Sequence, residues 1–462
     1  MRGVNGRAWL PLLALVALAP SCGGGVPGEA GRSRGSAAGS TRRGKTADSQ
    51  AALFPETRAG WRHIDRKARG QIDELARDYV RFLGRSKTPR RAVGALVELF
   101  RAAGAAPLGD SLAAGQRAYW IAPGGDAALL VVGGRGGSAA GVRAVVAAVD
   151  GPRIDLKQVP LYQHDTAALF ETSLYGELTL QSWLSRPLAL YLRLDRKNAS
   201  EIVIGEAPGD PVLVIPDVPI HLAKKIQPKG KPIDPERMDA YAGASEAAVR
   251  AALRRRGIRE ADLTAAEAYL VPAGPAALIG VDRAMVAGYA QSRLGLAWLA
   301  TRALGATRPD QATLAVILIS KSQVEGAGAT GVGFVARALS RALSAVGGEL
   351  DVLASRRAYA RSALLVAAAR KGEPNRGLVL ASNDDDTLPG SLRRALDRLE
   401  RVGVPIQFGE ESKDSTSTVL GELDVDAVSV SLPVIGNGEP LELVSALDLH
   451  YAATGLASWF AP

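Results

Sequence analysis

Helical segments and short apolar strands alternate along most of this chain of 462 residues, and the alternation restricts its fold class more than any other feature. Two segments, 142–149 and 314–319, are apolar on both faces of a strand, which is typical of central strands covered by helices on both sides. Further strands are predicted at 127–132, 201–204, 212–215, 378–381 and 425–432. This pattern predicts an α/β fold with a three-layer α/β/α domain.

Apolar residues spaced by three or four positions predict the helices between these strands. One helix begins after Thr88, whose side chain is suited to cap it, with Pro89 at the first helical position. The other predicted helices span 64–84, 245–256, 284–304, 331–346, 390–402 and 441–457.

The segment 160–270 interrupts the alternation, because it contains many prolines and short β-rich pieces. We interpret it as a β-rich, barrel-like domain inserted into the α/β domain. The predicted organisation is an α/β domain formed by 61–158 and 272–462, with the inserted domain at 159–271.

The N-terminus has the pattern of an export signal. Arg2 and Arg7 precede the apolar run 8–19, which is too short to span a bilayer and ends shortly before Cys22, the single cysteine of the chain. A small residue before this cysteine is typical of a bacterial lipoprotein. We therefore expect a lipoprotein-type signal peptide at 1–22 and a lipid on Cys22 that holds the exported protein at the periplasmic face or the outer membrane. The alternative is an ordinary cleaved signal.

The net charge of +9 comes almost entirely from the N-terminal region. Residues 23–60 are rich in Gly, Ser, Ala and Arg and predict a disordered tether. Residues 1–70 contain 12 basic and 4 acidic side chains, so the remainder carries 44 basic and 43 acidic ones and is close to neutral. A neutral body argues against a nucleic-acid partner, whereas the basic tail could contact anionic lipid.

Short motifs and composition exclude several classes of site. One cysteine rules out a Cys-rich zinc or iron–sulfur site. The glycines at 326, 328 and 331 fit a GxGxxG pattern, but six residues separate them from the preceding strand, so we interpret them as a packing loop. The acidic run 384–386 is interpreted as a solvated loop. GxSxG, HExxH and Walker motifs are absent from the sequence.

Several collinear segments resemble the aspartyl-aminopeptidase-like family of zinc metallopeptidases. They are 86–93, 148–157, 160–162, 175–176, 181–190, 215–222 and 270–283, and the resemblance covers about residues 65–462. It implies a peptidase-like α/β domain interrupted by a β-rich dimerisation domain, two zinc ions, and homo-oligomers that range from dimers to tetrahedral dodecamers.

The positions that the resemblance assigns to zinc and catalysis are substituted. The first ligand His of the family aligns with Ala148, while the Asp that orients this His is retained as Asp150. The general-base Glu aligns with Ser322, a ligand Glu with Gln323, and the last ligand His with Gly438.

The two other ligand positions are also lost. The bridging Asp of the family falls within 291–295, which contains no carboxylate, and another ligand Asp falls near Ala367. Glu325 and Glu439 lie beside lost positions and are candidate substitutes. His221 matches a family His near the substrate pocket, and the alternative is a hydrogen-bonded turn residue of the β-rich domain.

Three hypotheses follow from these substitutions. The first is a pseudo-peptidase without zinc, which keeps the fold and binds a peptide or protein, or acts as a scaffold. The second is an active metallo-aminopeptidase with an unorthodox metal site that uses Glu325, Glu439 or Asp150. The third is hydrolysis by Ser322 with Lys321, although adjacent residues of an extended chain point to opposite faces and are poorly placed for this chemistry.

Overall fold

The structure is a computed structural model that describes residues 60–194, 200–217, 238–320, 328–348, 350–368, 371–381, 389–409 and 425–462. The predicted signal peptide 1–22 and the tether up to residue 59 lie outside the described residues. So do five of the candidate site residues, namely Cys22, His221, Ser322, Gln323 and Glu325.

The described residues form ten α-helices; seven overlap predicted helices, and those at 180–183, 260–265 and 352–360 were not predicted. The ten helices are α1 Arg66–Arg85, α2 Pro89–Ala102, α3 Leu180–Trp183, α4 Glu246–Arg255, α5 Glu260–Ala265, α6 Gln291–Ala306, α7 Gly328–Gly347, α8 Val352–Ala360, α9 Pro389–Arg401 and α10 Ala446–Phe460. The side chain of Thr88 accepts a hydrogen bond from the Arg91 amide and Pro89 is the first residue of α2, which confirms the predicted cap.

The strands form three sheets. In chain order they are β1 Ala106–Pro107, β2 Arg117–Ile121, β3 Ala128–Val132, β4 Val142–Ala148, β5 Arg153–His164, β6 Ala167–Tyr175, β7 Leu188–Leu194, β8 Ser200–Ile204, β9 Ala240–Gly243, β10 Glu267–Pro272, β11 Ala277–Ile279, β12 Met285–Gly288, β13 Thr313–Ile319, β14 Ala363–Ala367, β15 Leu378–Ala381, β16 Ile406–Gly409, β17 Asp426–Ser431, β18 Val434–Ile435 and β19 Glu442–Ser445.

The largest sheet has nine strands in the order β1-β2-β3-β13-β4-β14-β17-β15-β16. Its centre is parallel, because β4 pairs in parallel with β13 and β14, and β14 pairs in parallel with β17. Successive side chains of these strands belong to different cores: Leu130 and Val145 pack with α6 and α10 residues, whereas Leu129 and Val146 pack with α7 residues. Burial on both faces confirms the predicted three-layer arrangement.

A second sheet is made from the part of the chain between β4 and β11. Its six strands have the order β8-β7-β10-β5-β6-β9, and neighbouring strands are antiparallel. Among the described strands this sheet stays open rather than closing into a barrel. The mixed fold class, with a β-rich segment inside an α/β framework, is as predicted.

A small third sheet corrects two predicted helix boundaries. The helices predicted at 284–304 and 441–457 begin only at Gln291 and Ala446, because Met285–Gly288 and Glu442–Ser445 form the antiparallel pair β12 and β19. Apolar spacing within one segment does not reveal a pairing with a distant segment, so local periodicity assigned both strands to helices.

Two other predictions need adjustment. The segment 212–215 contributes only isolated bridges, from Leu213 to Leu188 and from Val214 to Tyr241, instead of a strand. The buried strand Ala363–Ala367 is not among the predicted strands, although it lies between β4 and β17 in the parallel centre of the sheet. None of the helices in the described part of the chain has both the length and the apolar character needed to cross a membrane.

Candidate functional site

Positions that the resemblance assigns to metal binding lie at the carboxyl edge of the parallel strands. β4 ends at Ala148, which pairs with Ile319 at the end of β13. β14 ends at Ala367, which pairs with Val430 of β17. Ligand sites of open α/β sheets commonly occur outside this edge. The tertiary structure therefore brings these positions to one place, but both side chains are methyl groups without a donor atom.

Asp150, the retained carboxylate, is completely buried just beyond β4. The hydroxyl of Tyr175, the last residue of β6, donates a short hydrogen bond to its Oδ2 atom. A carboxylate buried in this way depends on such donors, since burial without them is costly. Asp150 thus takes part in the packing between the nine-stranded and six-stranded sheets.

A buried guanidinium stacks on the same tyrosine. Arg153 lies 3.7 Å from the ring centre of Tyr175 and 4.3 Å from that of Tyr269, and its Nε atom is 2.8 Å from Oδ1 of Asp155. Burial lowers the pKa of Arg153, but the charge and hydrogen bond of Asp155 together with the Tyr269 and Tyr289 hydroxyls more than offset this effect, and the net pKa is raised. Arg153 is therefore a fixed cation held between two aromatic rings.

Gly438 occupies a backbone turn that excludes a side chain. Its φ is +83°, and a Cβ atom at this position would lie 2.3 Å from the carbonyl oxygen of Glu177. The Gly438 carbonyl accepts hydrogen bonds from Trp183 Nε1 at 3.2 Å and from the Thr179 amide at 3.4 Å. A histidine at this position would need both a different backbone conformation and displacement of the 177–179 segment.

An aromatic pair links the Gly438 turn to the turn after β4. Trp183 is fully buried and packs edge-on against Tyr289, with 6.5 Å between the ring centres. The Tyr289 hydroxyl donates to the Pro152 carbonyl at 2.9 Å. Burial raises the pKa of Tyr289 well above its usual range, so this hydroxyl stays protonated. The aromatic rings of Trp183 and Tyr289 therefore lie between these two turns.

The structure reveals a buried carboxylate that sequence reasoning did not single out. Glu442 is completely buried, and its side chain accepts hydrogen bonds from the Ser292 amide at 2.7 Å, the Ser292 hydroxyl at 2.9 Å and the Gly438 amide at 3.3 Å. Burial raises the pKa of Glu442, while these hydrogen bonds partly oppose the rise. Two features of the sequence could have pointed to this carboxylate. Glu442 is the last residue of the segment that resembles the final ligand motif and contains Gly438, and Ser292 lies in the segment expected to hold a bridging carboxylate.

The remaining candidate, Glu439, lies in the turn between β18 and β19. Its amide donates to the Gly436 carbonyl at 3.0 Å, and its side chain is half-buried. The described histidines His63, His164 and His450 lie on three separate elements. Within the described ranges, no group of three or more His, Cys, Asp or Glu side chains is placed to hold a metal ion.

A pair of zinc ions does not fit the described part of this site. Zinc needs nitrogen, sulfur or carboxylate donors arranged together. Ala148 and Ala367 offer none, Gly438 has no side chain and no room for one, and Asp150 and Glu442 already accept hydrogen bonds within the packed interior. The positions of Ser322 and Gln323 fall outside the described residues, so their chemistry is known from the sequence alone.

Comparison with known proteins finds relatives that are named as aminopeptidases. A family model described as "Aminopeptidase I zinc metalloprotease (M18)" matches residues 82–367. A protein of Thermotoga neapolitana named "Probable M18 family aminopeptidase 1" is 30% identical over 321 residues, which cover 66% of this chain and 70% of the relative. A protein of the same name from Clostridium acetobutylicum is 25% identical over 459 residues, which cover 88% of this chain and 98% of the relative.

Solved structures show the same fold. The crystal structure of an M18 family aminopeptidase from Thermotoga maritima superposes with a TM-score of 0.77 at 24% identity and covers 87% of this chain and 98% of its own. The structure of the S. cerevisiae mApe1 dodecamer superposes with a TM-score of 0.67 at 15% identity and covers 84% and 97%. Since the family model matches more than half of the sequence, the chain belongs to the peptidase M18 family.

Proposed function

We propose that this chain is a catalytically inactive M18 homologue, a pseudo-peptidase that acts by binding a peptide or protein or by scaffolding. The observation that carries the proposal is the Gly438 turn, where the last ligand His of the family is replaced by a glycine whose Cβ position lies 2.3 Å from a carbonyl oxygen. A turn that leaves no space for any side chain departs further from a zinc-binding site than the replacement of a single ligand does.

The loss of several donors together supports the same proposal. Removing one ligand weakens a zinc site, whereas removing most of them leaves no set that satisfies the geometry of the metal. Ala148 and Ala367 lie where the parallel strands end, with methyl groups in place of donors. We therefore propose that the resident zinc of the family is absent.

The second candidate function is an active metallo-aminopeptidase with an unorthodox site. It is favoured by the comparisons, since the relatives from Thermotoga neapolitana and Clostridium acetobutylicum are named as aminopeptidases. It would have to draw its ligands from Asp150, Glu439 and the candidate Glu325. Of these, Asp150 is buried and hydrogen-bonded to Tyr175, which reduces its availability for a metal.

We further propose that the chain forms a homo-oligomer, in the range from a dimer to a dodecamer, through the β-rich segment 159–271. The support is the fold shared with a structure solved as a dodecamer. Export and membrane attachment through a lipid on Cys22 remain proposals that rest on the sequence of residues 1–22.

Metal analysis combined with an activity assay tests the proposed function. The purified protein is compared with the Thermotoga maritima aminopeptidase prepared in the same way, by measuring zinc per chain and the release of N-terminal residues from peptides with and without a chelator. We expect far less than one zinc per chain and no chelator-sensitive release. Stoichiometric zinc with chelator-sensitive release would overturn the pseudo-peptidase proposal.

The alternative has its own test. If release is observed, the triple variant Asp150→Ala, Glu325→Ala, Glu439→Ala is compared with the unchanged protein. Loss of release supports the unorthodox carboxylate site, and full retention of release refutes it. Peptide binding measured by calorimetry on the unchanged protein then tests whether a pocket still recognises peptides.

A further inference from the structure

A basic cavity lies at the amino edge of the nine-stranded sheet, opposite the edge that holds the substituted metal positions. Its volume is about 390 Å³. The apolar part of its wall comes from the starts of β4 and β14 and from the end of α10. The charged part consists of four arginines, Arg143, Arg361, Arg394 and Arg398. They come from β4, from the turn before β14, and from α9.

Two of these arginines are paired with carboxylates and two are not, within the part of the chain that the structure describes. Arg143 forms a short ion pair with Asp310, and Arg394 forms one with Asp426. Arg361 donates through Nη1 to the Ala139 carbonyl at 2.8 Å. Among the described residues, the four guanidinium groups that line the cavity therefore outnumber the two carboxylates paired with them.

The fourth arginine is held by the end of α10. Arg398 donates through Nη1 to the Ser458 carbonyl at 2.9 Å and to the Ala461 carbonyl at 2.8 Å. Arg143 donates to the same Ala461 carbonyl at 2.9 Å. The two cations are therefore brought together on one backbone acceptor, while Pro462, the next residue, is exposed.

The crowding of these cations has an electrostatic consequence. Burial, and then repulsion by Arg143 and Arg401, lowers the pKa of Arg398 to about 10. The Nε atom of Arg143 is buried and has no hydrogen-bond partner among the described residues. Both features indicate positive charge that the described residues do not fully compensate.

We propose that this cavity binds a phosphate-bearing small molecule as a dianion. Guanidinium groups recognise phosphate through paired N–H donors, and each guanidinium that reaches the same anion adds charge-assisted hydrogen bonds to it. Among the described residues the lining guanidinium groups outnumber their carboxylate partners, which favours a dianion such as a phosphate monoester. The volume is within the range of small-molecule sites and exceeds what a bare phosphate needs.

The site is distinct from the substituted metal positions. β4 runs from Val142, which lines the cavity, to Ala148 at the opposite edge, and its seven residues span about 20 Å. Binding at the amino edge therefore does not depend on whether the carboxyl edge is catalytic.

A purely structural role explains only part of the arrangement. Arg143 and Arg398 satisfy carbonyls at the end of α10, where positive charge also interacts favourably with the helix dipole. That role does not require Arg361, which is exposed and bonded to the Ala139 carbonyl. Arg361 is therefore the residue whose replacement separates ligand binding from packing.

Titration calorimetry at constant ionic strength tests the proposal. The purified full chain is titrated with inorganic phosphate, pyrophosphate and glycerol 3-phosphate, and with glycerol as the uncharged control. We expect saturable binding of the phosphate compounds, with tighter binding of glycerol 3-phosphate identifying an ester and tighter binding of pyrophosphate identifying a diphosphate. No saturable binding of any phosphate compound would overturn the proposal.

Matched variants locate the binding. Arg361→Met is expected to weaken binding at least about tenfold, and Arg361→Lys, which keeps the charge but loses the paired donors, to weaken it less. Arg356→Met on α8 removes the same charge at an exposed position outside the cavity and is the control. Equal affinities for Arg361→Met and Arg356→Met, with unchanged melting temperatures, would overturn the assignment to this cavity.

Discussion

Ser292 and Glu442 join two segments that are distant in sequence: the amide and the hydroxyl of Ser292 donate to the two carboxylate oxygens of Glu442 at 2.7 and 2.9 Å. Ser292 lies in the first turn of α6, and Glu442 is the first residue of β19. The pair lies where the resemblance places a bridging metal carboxylate and the end of the last ligand motif. Here a buried hydrogen-bonded pair connects these two elements.

The Ser292–Glu442 pair should contribute measurably to stability. Ser292→Ala removes the hydroxyl donor from a completely buried carboxylate, so we expect a loss of about 1–3 kcal/mol in the free energy of unfolding. Ser111→Ala, at an exposed position, is the control and should change stability by less than about 0.5 kcal/mol. Equal denaturant midpoints for the two variants would contradict this role.

The hydrogen bond between Tyr175 and Asp150 predicts that substitutions at these two residues have coupled effects on stability. Tyr175→Phe leaves the buried Asp150 carboxylate without this donor, and we expect a loss of about 1–3 kcal/mol in unfolding free energy. Adding Asp150→Asn should cost less in the Tyr175→Phe background than in the unchanged protein, because the charge left behind is removed. Tyr241→Phe, on a half-exposed strand residue, is the control. Strict additivity in denaturant unfolding would refute the coupling.

The Gly438 turn predicts that restoring a ligand does not restore the metal site. Gly438→Ala places a side chain on a residue with left-handed backbone conformation, which alone costs ~1–2 kcal/mol. Its Cβ would also lie 2.3 Å from the Glu177 carbonyl oxygen, so we expect the loss of unfolding free energy to be well beyond that cost. Gly348 has a similar φ of +74° but open space around the Cβ position, so Gly348→Ala measures the cost of the left-handed backbone conformation alone.

Zinc binding by a histidine variant completes the same test. The double variant Ala148→His, Gly438→His is expected to bind no more zinc than the unchanged protein, when both are dialysed against zinc and measured per folded chain. A folded double variant that takes up one zinc per chain would show that the turn accommodates a ligand after all.

Asp448 predicts a pH-dependent loss of stability. Its carboxylate accepts hydrogen bonds from the Asn375 and Gly377 amides at 2.7 and 2.8 Å, and burial raises its pKa to about 7 in spite of these bonds. A raised carboxyl pKa means that the folded state binds the proton more tightly than the unfolded chain. The stabilisation is complete below pH ~4 and is lost as the pH rises toward 7, by at most about 1.4 kcal/mol per pH unit.

Denaturant unfolding between pH 4 and 8 measures this contribution. The Asp448→Asn variant cannot titrate at this position, so its unfolding free energy should decrease less between pH 4 and 7 than that of the unchanged protein. Asp397→Asn is the control, because it removes a carboxyl group from a half-buried position on α9 rather than from a fully buried one. Parallel pH profiles for the unchanged protein and Asp448→Asn would contradict the raised pKa.

Much of the fold was predictable because burial leaves a local pattern in the sequence. Segments 142–149 and 314–319 are apolar on both faces, and the structure places Val142–Ala148 and Thr313–Ile319 side by side in the centre of the sheet. Thr88 and Pro89 predicted a helix start because capping depends only on neighbouring residues. The missing donors at Ala148 and Gly438 are likewise a matter of residue type and needed no coordinates.

The sequence by itself thus determined the layered α/β fold, its family and the residue types at the positions that the resemblance assigns to metal binding. Only the tertiary structure decided that Met285–Gly288 and Glu442–Ser445 are paired strands, that Gly438 has no room for a side chain, and that four arginines surround one cavity. The physical reason is range: helix and strand periodicity arises from near neighbours, whereas strand pairing, close backbone approach and charge clusters depend on how distant segments pack.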